Sequence, residues 1–253
     1  MSLNNDFYSG CDDHEWINSY TKLYIQELYC KEPQSRIATL YFRPHNVDAT
    51  YFYQSCSEHM LEMITHVQLS LIGDCCIAYN KSGRRPSQIF FKIEPRIIPS
   101  VIDSLLESFS KLRDKRIELV LDMNFQEDDF SKRKIDSKLC RELYKVVDRG
   151  YRLSMGGFDW KHNAPENIGI VSDLFDYVRL GPPPSNIAEV NHFIDTCFYI
   201  KENNKSLLIL ERLQCKTDLE TACRVPYYAL MGDYIYPSFL AKDIDSVDIK
   251  VLL

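Results

Sequence analysis

Short apolar runs of strand length alternate with amphipathic stretches along most of this chain, and that alternation restricts the fold more than any other feature. The runs are Arg36–Phe42, Ala49–Gln54, Ile89–Ile93, Ile117–Asp122, Tyr151–Met155, Tyr177–Gly181, Leu207–Glu211 and Tyr228–Met231. Most are rich in β-branched or aromatic residues, as strands are. Between them, Val101, Leu105, Phe109 and Leu112 trace one helical face, as do Leu139, Leu143, Val146 and Val147. Gly150 stands where the second of these helices should end, and Asn186 is placed to cap a third carrying Ile187, Val190, Ile194 and Cys197. The first two runs are joined by Arg-Pro-His-Asn-Val-Asp, too short for a helical crossover, so they are expected to pair antiparallel. Later strands, separated by helices, should be parallel. The predicted fold is α/β, a (β/α)8 TIM-like barrel with an antiparallel first strand. An open doubly wound sheet produces a similar pattern, and periodicity alone does not separate the two.

A chain of 253 residues suits one barrel. The expected layout is a leader over 1–35, packing on or flanking the barrel through Phe7, Tyr8, Trp16, Tyr20 and Tyr24, and a barrel over 36–253. Gly181-Pro182-Pro183-Pro184 is too short a linker to divide domains. The net charge of −6 argues against direct nucleic-acid binding over the whole surface and is compatible with a basic protein partner. No apolar run approaches the roughly 20 residues of a membrane span, and the polar start lacks a signal-peptide layout, so the cytoplasm is the expected location. The nine cysteines are odd in number and irregularly spaced, which predicts reduced, mostly buried thiols rather than disulfides.

The strand ends, read in order from Arg36 to Phe239, resemble the landmarks of the bacterial EAL domain, the fold of cyclic di-GMP phosphodiesterases. Gly150–Asp159 resembles a glycine-started strand ending in Asp-Asp-Phe-Gly, with Gly156 and Gly157 in place of the aspartates. Lys92-Ile93-Glu94-Pro95 resembles Asn-Leu-Ser-Pro, with Lys92 for the metal-binding asparagine. Leu121–Phe125 resembles the strand carrying Glu-x-Thr-Glu, with Asp122 for its glutamate. Val178–Gly181 resembles the Lys-Ile-Asp strand, with Arg179 for the lysine and Gly181 for the aspartate. Leu210–Gln214 resembles Ala-Glu-Gly-Val-Glu, keeping Glu211 but carrying Arg212 and Gln214 instead of the glycine and second glutamate. Met231-Gly232 resembles a Gln-Gly pair, and the Glu-Ala-Leu signature is placed at Tyr51-Phe52-Tyr53, where no carboxylate stands.

This resemblance implies a degenerate member of the family. Hydrolysis there uses two divalent cations, and such sites need several oxygen ligands. Gly156 and Gly157 supply none and Lys92 supplies a cation, so no metal, no cofactor and no catalytic residue is expected, and phosphodiesterase activity should be lost. Lys92 and Arg179 are expected to pair with Asp122 or Glu211. Tyr51, Phe52, Tyr53 and Phe125 are expected to make the old catalytic mouth aromatic. Asp159 lies too far along the chain to replace a lost aspartate. His162 is read as a loop residue, and Arg84-Arg85 and Gln126–Phe130 as exposed loops. No compact acid, base or nucleophile cluster suggests a different enzyme.

The expected function is that of a catalytically inactive EAL-like regulator acting by protein–protein contact, on a transcription regulator of motility or surface structures, as similar degenerate barrels do. The alternative is a non-catalytic cyclic di-GMP receptor. Binding of cyclic di-GMP is not expected, because the arginine that follows Glu-Ala-Leu-Leu in the family falls near Ser55 and the glutamine is replaced by Met231.

Overall fold

The structure, a computed structural model, describes residues 21–31, 36–44, 48–81, 86–114, 116–125, 136–164 and 174–240. The strands are β1 (Thr21–Cys30), β2 (Ile37–Pro44), β3 (Gln88–Ile93), β4 (Glu118–Asn124) and β5 (Arg152–Gly156). They continue with β6 (Tyr177–Leu180), β7 (Leu207–Leu210), β8 (Ala229–Leu230) and β9 (Phe239–Leu240). The helices are α1 (Ala49–Ser55), α2 (Glu58–Lys81), α3 (Ile98–Arg113), α4 (Ser137–Asp148), α5 (Ile187–Asn203) and α6 (Lys216–Ala222). Strands β2 to β8 pair in parallel in chain order. Strand β1 closes the ring antiparallel to both β2 and β8, and β9 adds to β1. The sheet is therefore a closed barrel with an antiparallel first strand, not an open sheet.

The residues filling that first strand differ from the expectation. Ala49–Gln54 is helical, in α1, because the Asp48 carboxylate accepts from the Tyr51 amide at 2.9 Å and caps the turn despite the aromatic sequence. The antiparallel place expected for Arg36–Phe42 is held by β1, which pairs with β2 from Thr21↔Pro44 to Leu28↔Ile37. The run Arg36–Phe42, in β2, is parallel to β3 in the place expected for Ala49–Gln54. The barrel thus begins before residue 36, inside the stretch assigned to a leader; residues 1–20 lie outside the described residues. Strand β1 is hard to read because Gln26 and Glu27 interrupt its alternation. Gln26 is nonetheless buried, its amide donating to Asp233 Oδ1 and to the Tyr236 carbonyl, both at 3.0 Å.

The helices foreseen from spacing form where expected. Helix α3 buries Val101, Leu105, Phe109 and Leu112, and α4 buries Leu139, Leu143 and Val146. The chain leaves α4 through Gly150 at φ 74°, and the Asn186 side chain caps α5 by accepting from Ala188 N. The 24-residue α2 was not foreseen. Among the described cysteines no disulfide forms. Cys30 and Cys197 are buried, but Cys215 and Cys223 are exposed, so the thiols are less buried than expected.

Strand periodicity sorts side chains to the two faces of the barrel wall. Ile89, Phe91, Leu119, Leu121, Leu153, Val178 and Leu208 face outward into the large core under the helices. Leu28, Ile37, Phe90, Val120, Tyr177, Ile209 and Ala229 pack together inside the barrel. Beneath that layer Gln88, Glu118, Arg152 and the Tyr177 hydroxyl form a polar plug. Arg152 donates to Tyr177 at 2.7 Å and pairs with Glu118 at 3.0 Å. Gln88 donates to Glu118 at 2.8 Å. Two residues beyond the apolar layer, on their respective strands, stand Thr39, Lys92, Asp122, Arg179 and Glu211. The period of two aims all five at the C-terminal mouth of the barrel.

Candidate functional site

Arg179 occupies the centre of that mouth and is 4 % exposed. Its Nε lies 2.8 Å from Asp122 Oδ1, close as an ion pair though misaligned as a hydrogen bond. Its Nη1 donates to Glu211 Oε2 at 2.5 Å, and its Nη2 donates to Asn124 Oδ1 in a short contact. Burial alone would lower the guanidinium's pKa, but Asp122 and Glu211 outweigh it and raise it, so Arg179 stays charged. The expected salt bridge to Asp122 and Glu211 is present and is made by Arg179. Asn124 is a third partner missed in the sequence; it stands two residues after Asp122 on the same strand face.

Gly156 explains why the guanidinium fits. A Cβ there would lie 2.6 Å from Arg179 Nη2 and 2.7 Å from Asn124 Oδ1. The space left by an aspartate's absence is filled by the arginine head. Gly157, at φ 86°, runs against the Phe125 carbonyl, where a Cβ would come within 2.1 Å. The two glycines thus admit a close approach of β5 to β4 and to Arg179.

Lys92 has a different environment. Its Cα is in register with Asp122, yet among the described residues it makes no hydrogen bond or ion pair. It is half-buried and lines the cavity. Burial, with the Arg179 charge, lowers its pKa against the opposing pull of Asp122, Glu211 and Glu94. Glu94, beside it, is raised by burial more than Lys92 and Arg96 lower it.

These groups line a cavity of about 660 Å³ together with Thr39, Arg43 and Arg212. Its wall mixes these charged groups with Tyr41, Phe42, Tyr53 and Phe125, so the expected aromatic mouth is present only in part. Tyr51 is 58 % exposed on α1, Phe125 is buried against Phe175, and Phe52 packs beside the Phe42, Ile64 and Val67 cluster. Tyr53 and Phe125 of that expected group reach the cavity wall, whereas Tyr51 and Phe52 do not. His162 is exposed and pairs with Asp159 at 2.5 Å in the turn after β5, as a loop residue. Arg84-Arg85 and Gln126–Phe130 lie outside the described residues.

The placement of the Glu-Ala-Leu signature also changes. Tyr51–Tyr53 is on a helix, whereas β2 brings Thr39-Leu40-Tyr41-Phe42-Arg43 to the mouth. Arg43, four residues after Thr39, thus puts an arginine on the cavity wall.

The residues do not fit a pair of divalent cations. Among the described residues no three His, Cys, Asp or Glu side chains gather as a ligand set, and Asp122 and Glu211 are both engaged by Arg179. The same pairing sets an acid limit. Burial pushes the Glu211 carboxyl upward, but Arg179, Lys92 and Arg212 hold it below its ordinary range. A carboxyl whose folded pKa is depressed contributes stability above its unfolded pKa and loses it as pH falls through the folded value. Urea denaturation should therefore show stability falling as pH drops below about 4.5, and Glu211→Gln should flatten that slope.

No family model matches the chain, and no curated protein matches it. Solved structures do. The EAL domain of FimX from Xanthomonas citri, in complex with cyclic di-GMP, superposes with a TM-score of 0.66 at 14% identity over 88% of this chain and 90% of that one. The FimX EAL domain of Pseudomonas aeruginosa bound to cyclic di-GMP gives 0.65 at 12% identity, covering 88% and 93%. The YkuI protein of Bacillus subtilis, with an EAL domain and in complex with cyclic di-GMP and calcium, gives 0.62 at 15% identity. This chain is covered over 88% and spans 56% of that protein's length. The fold is that of EAL domains. The expectation against cyclic di-GMP binding is overturned: these structures of the same fold hold the nucleotide, and an arginine, Arg43, does line the cavity of this chain. No helix among the described residues is long and apolar enough to cross a membrane.

Proposed function

We propose that this chain is a non-hydrolysing EAL-fold regulator in cyclic di-GMP signalling, which acts by binding rather than turnover. The observation that carries this reading is Arg179, whose guanidinium bridges Asp122 and Glu211 and lies against Gly156, where a metal site would need free carboxylates. Two-metal hydrolysis needs both cations held close together by several oxygen ligands. Its output is contact with a protein partner, and a transcription regulator of motility or surface structures fits an acidic chain of net charge −6. Such a contact, if stable, buries roughly 1,200–2,000 Å².

A second reading, a cyclic di-GMP receptor, is favoured by the cavity of about 660 Å³ with Arg43, Lys92 and Arg212 on its wall. The two are compatible, the nucleotide being the input and the protein contact the output. The test is incubation of purified protein with cyclic di-GMP and Mg²⁺, following the linear dinucleotide by chromatography. No turnover is expected. Product formation proportional to protein and abolished by chelator would refute the reading.

A further inference from the structure

We propose that Lys92 anchors the phosphodiester anion of a cyclic dinucleotide, standing in for a divalent cation so that the ligand binds without metal. This rests on the reading above that the barrel mouth takes a nucleotide without hydrolysing it. The two inward cations of the mouth are unequally employed. Arg179 spends all three of its nitrogens on Asp122, Glu211 and Asn124, and its charge is neutralised within the protein. Lys92 stands across from Asp122 in register, lines the cavity, and makes no ion pair or hydrogen bond among the described residues. An ammonium group carries three donors and no acceptor, so it is completed by anionic oxygens.

Its surroundings are arranged for an incoming anion. Arg179, Asp122 and Glu211 act on Lys92 from other strands of the barrel and Glu94 from just beyond the end of its own. Asp122 and Glu211 are held by Arg179 and are not free to close on it. Arg43 and Arg212 line the same cavity, so a phosphodiester at Lys92 meets further positive charge. Lys92 is drawn by Asp122, Glu211 and Glu94 but closes an ion pair with none of them among the described residues, and burying a cation so incompletely paired costs stability. Such a cost is characteristic of a binding site whose ligand supplies the missing charge.

This assignment makes stability and binding move in opposite directions. Titration calorimetry with cyclic di-GMP in the presence of EDTA should show binding to the wild type. Lys92→Met should weaken it about ten- to hundredfold, the loss typical of one charge-assisted contact. Lys92→Arg should recover part of that loss, and it also serves if the methionine variant fails to fold. Urea denaturation should find Lys92→Met at least as stable as the wild type, whereas a structural lysine would destabilise on removal. Binding that appears only when Mg²⁺ is restored, or an unchanged affinity in both variants, would overturn the inference. No binding at all would also overturn it while leaving a non-hydrolysing, protein-binding barrel intact. Turnover of the ligand would instead remove the reading beneath it.

Discussion

Replacing Arg179 by methionine should destabilise the fold by about 3–5 kcal/mol, because it leaves Asp122 and Glu211 buried and uncompensated. That is a large share of the roughly 5–15 kcal/mol by which domains of this kind are stable. Asp122 is 1 % exposed and Glu211 7 %, so water does not take over the role of the guanidinium. The loss should be greatest at neutral pH and shrink in acid, where the two carboxyls can protonate. Neutralising all three charges together, with Asp122→Asn and Glu211→Gln added to Arg179→Met, should recover part of the stability, since the orphaned carboxylates are gone while Lys92 loses their pull. Urea denaturation of the single and triple variants measures both terms. A single-variant loss below about 1 kcal/mol would mean that the bridge is not the structural centre of the barrel mouth.

Putting a carboxylate back should not recover a phosphodiesterase. Gly156→Asp places a Cβ where Arg179 Nη2 and Asn124 Oδ1 now stand, so the guanidinium must shift before the new side chain can point into the mouth. Once displaced, Arg179 remains within reach of a carboxylate, and the added aspartate gives it another counter-ion instead of a ligand for metal. Lys92 still occupies the position of the family's asparagine. The expected result is no turnover of cyclic di-GMP in Mg²⁺ or Mn²⁺ by either wild type or variant, with lower stability in the variant. Chelator-sensitive hydrolysis by Gly156→Asp would show that one ligand separates this barrel from an active one. Non-additivity of grouped catalytic residues makes that outcome contrary to expectation.

The expectations that held in the structure concern local periodicity. Alternation in β3 to β7 places Lys92, Asp122, Arg179 and Glu211 on one face, because side chains on a strand repeat every two residues whatever surrounds them. The spacing of Val101, Leu105, Phe109 and Leu112 likewise gives α3 its buried face. Where local signals compete, reading fails. Tyr-Phe-Tyr at 51–53 has strong β character, yet the Asp48 cap starts a helix there. That misreading drew attention away from β2, whose Thr39 and Arg43 line the cavity. In β1 the pair Gln26–Glu27 breaks the pattern, and its strand exists because β2, β8 and β9 supply its hydrogen-bond partners from distant parts of the chain.

By itself, the sequence determined that strands and helices alternate along this protein, and that Gly156, Gly157 and Lys92 stand where its resemblance to the EAL domain places metal ligands. Those facts are written in residue types and in a period of two. Closure of the sheet into a barrel came instead from β1 pairing with both β2 and β8. Which cation answers which carboxylate was decided by tertiary structure alone. Lys92 and Arg179 both point into the same mouth, and their spacing does not rank them. The planar guanidinium reaches three acceptors at once, Asp122 and Asn124 on β4 and Glu211 at the end of β7, through the gap that Gly156 leaves, whereas an ammonium is a single point of charge. Arg179 therefore takes both acids, and Lys92 is left facing the cavity.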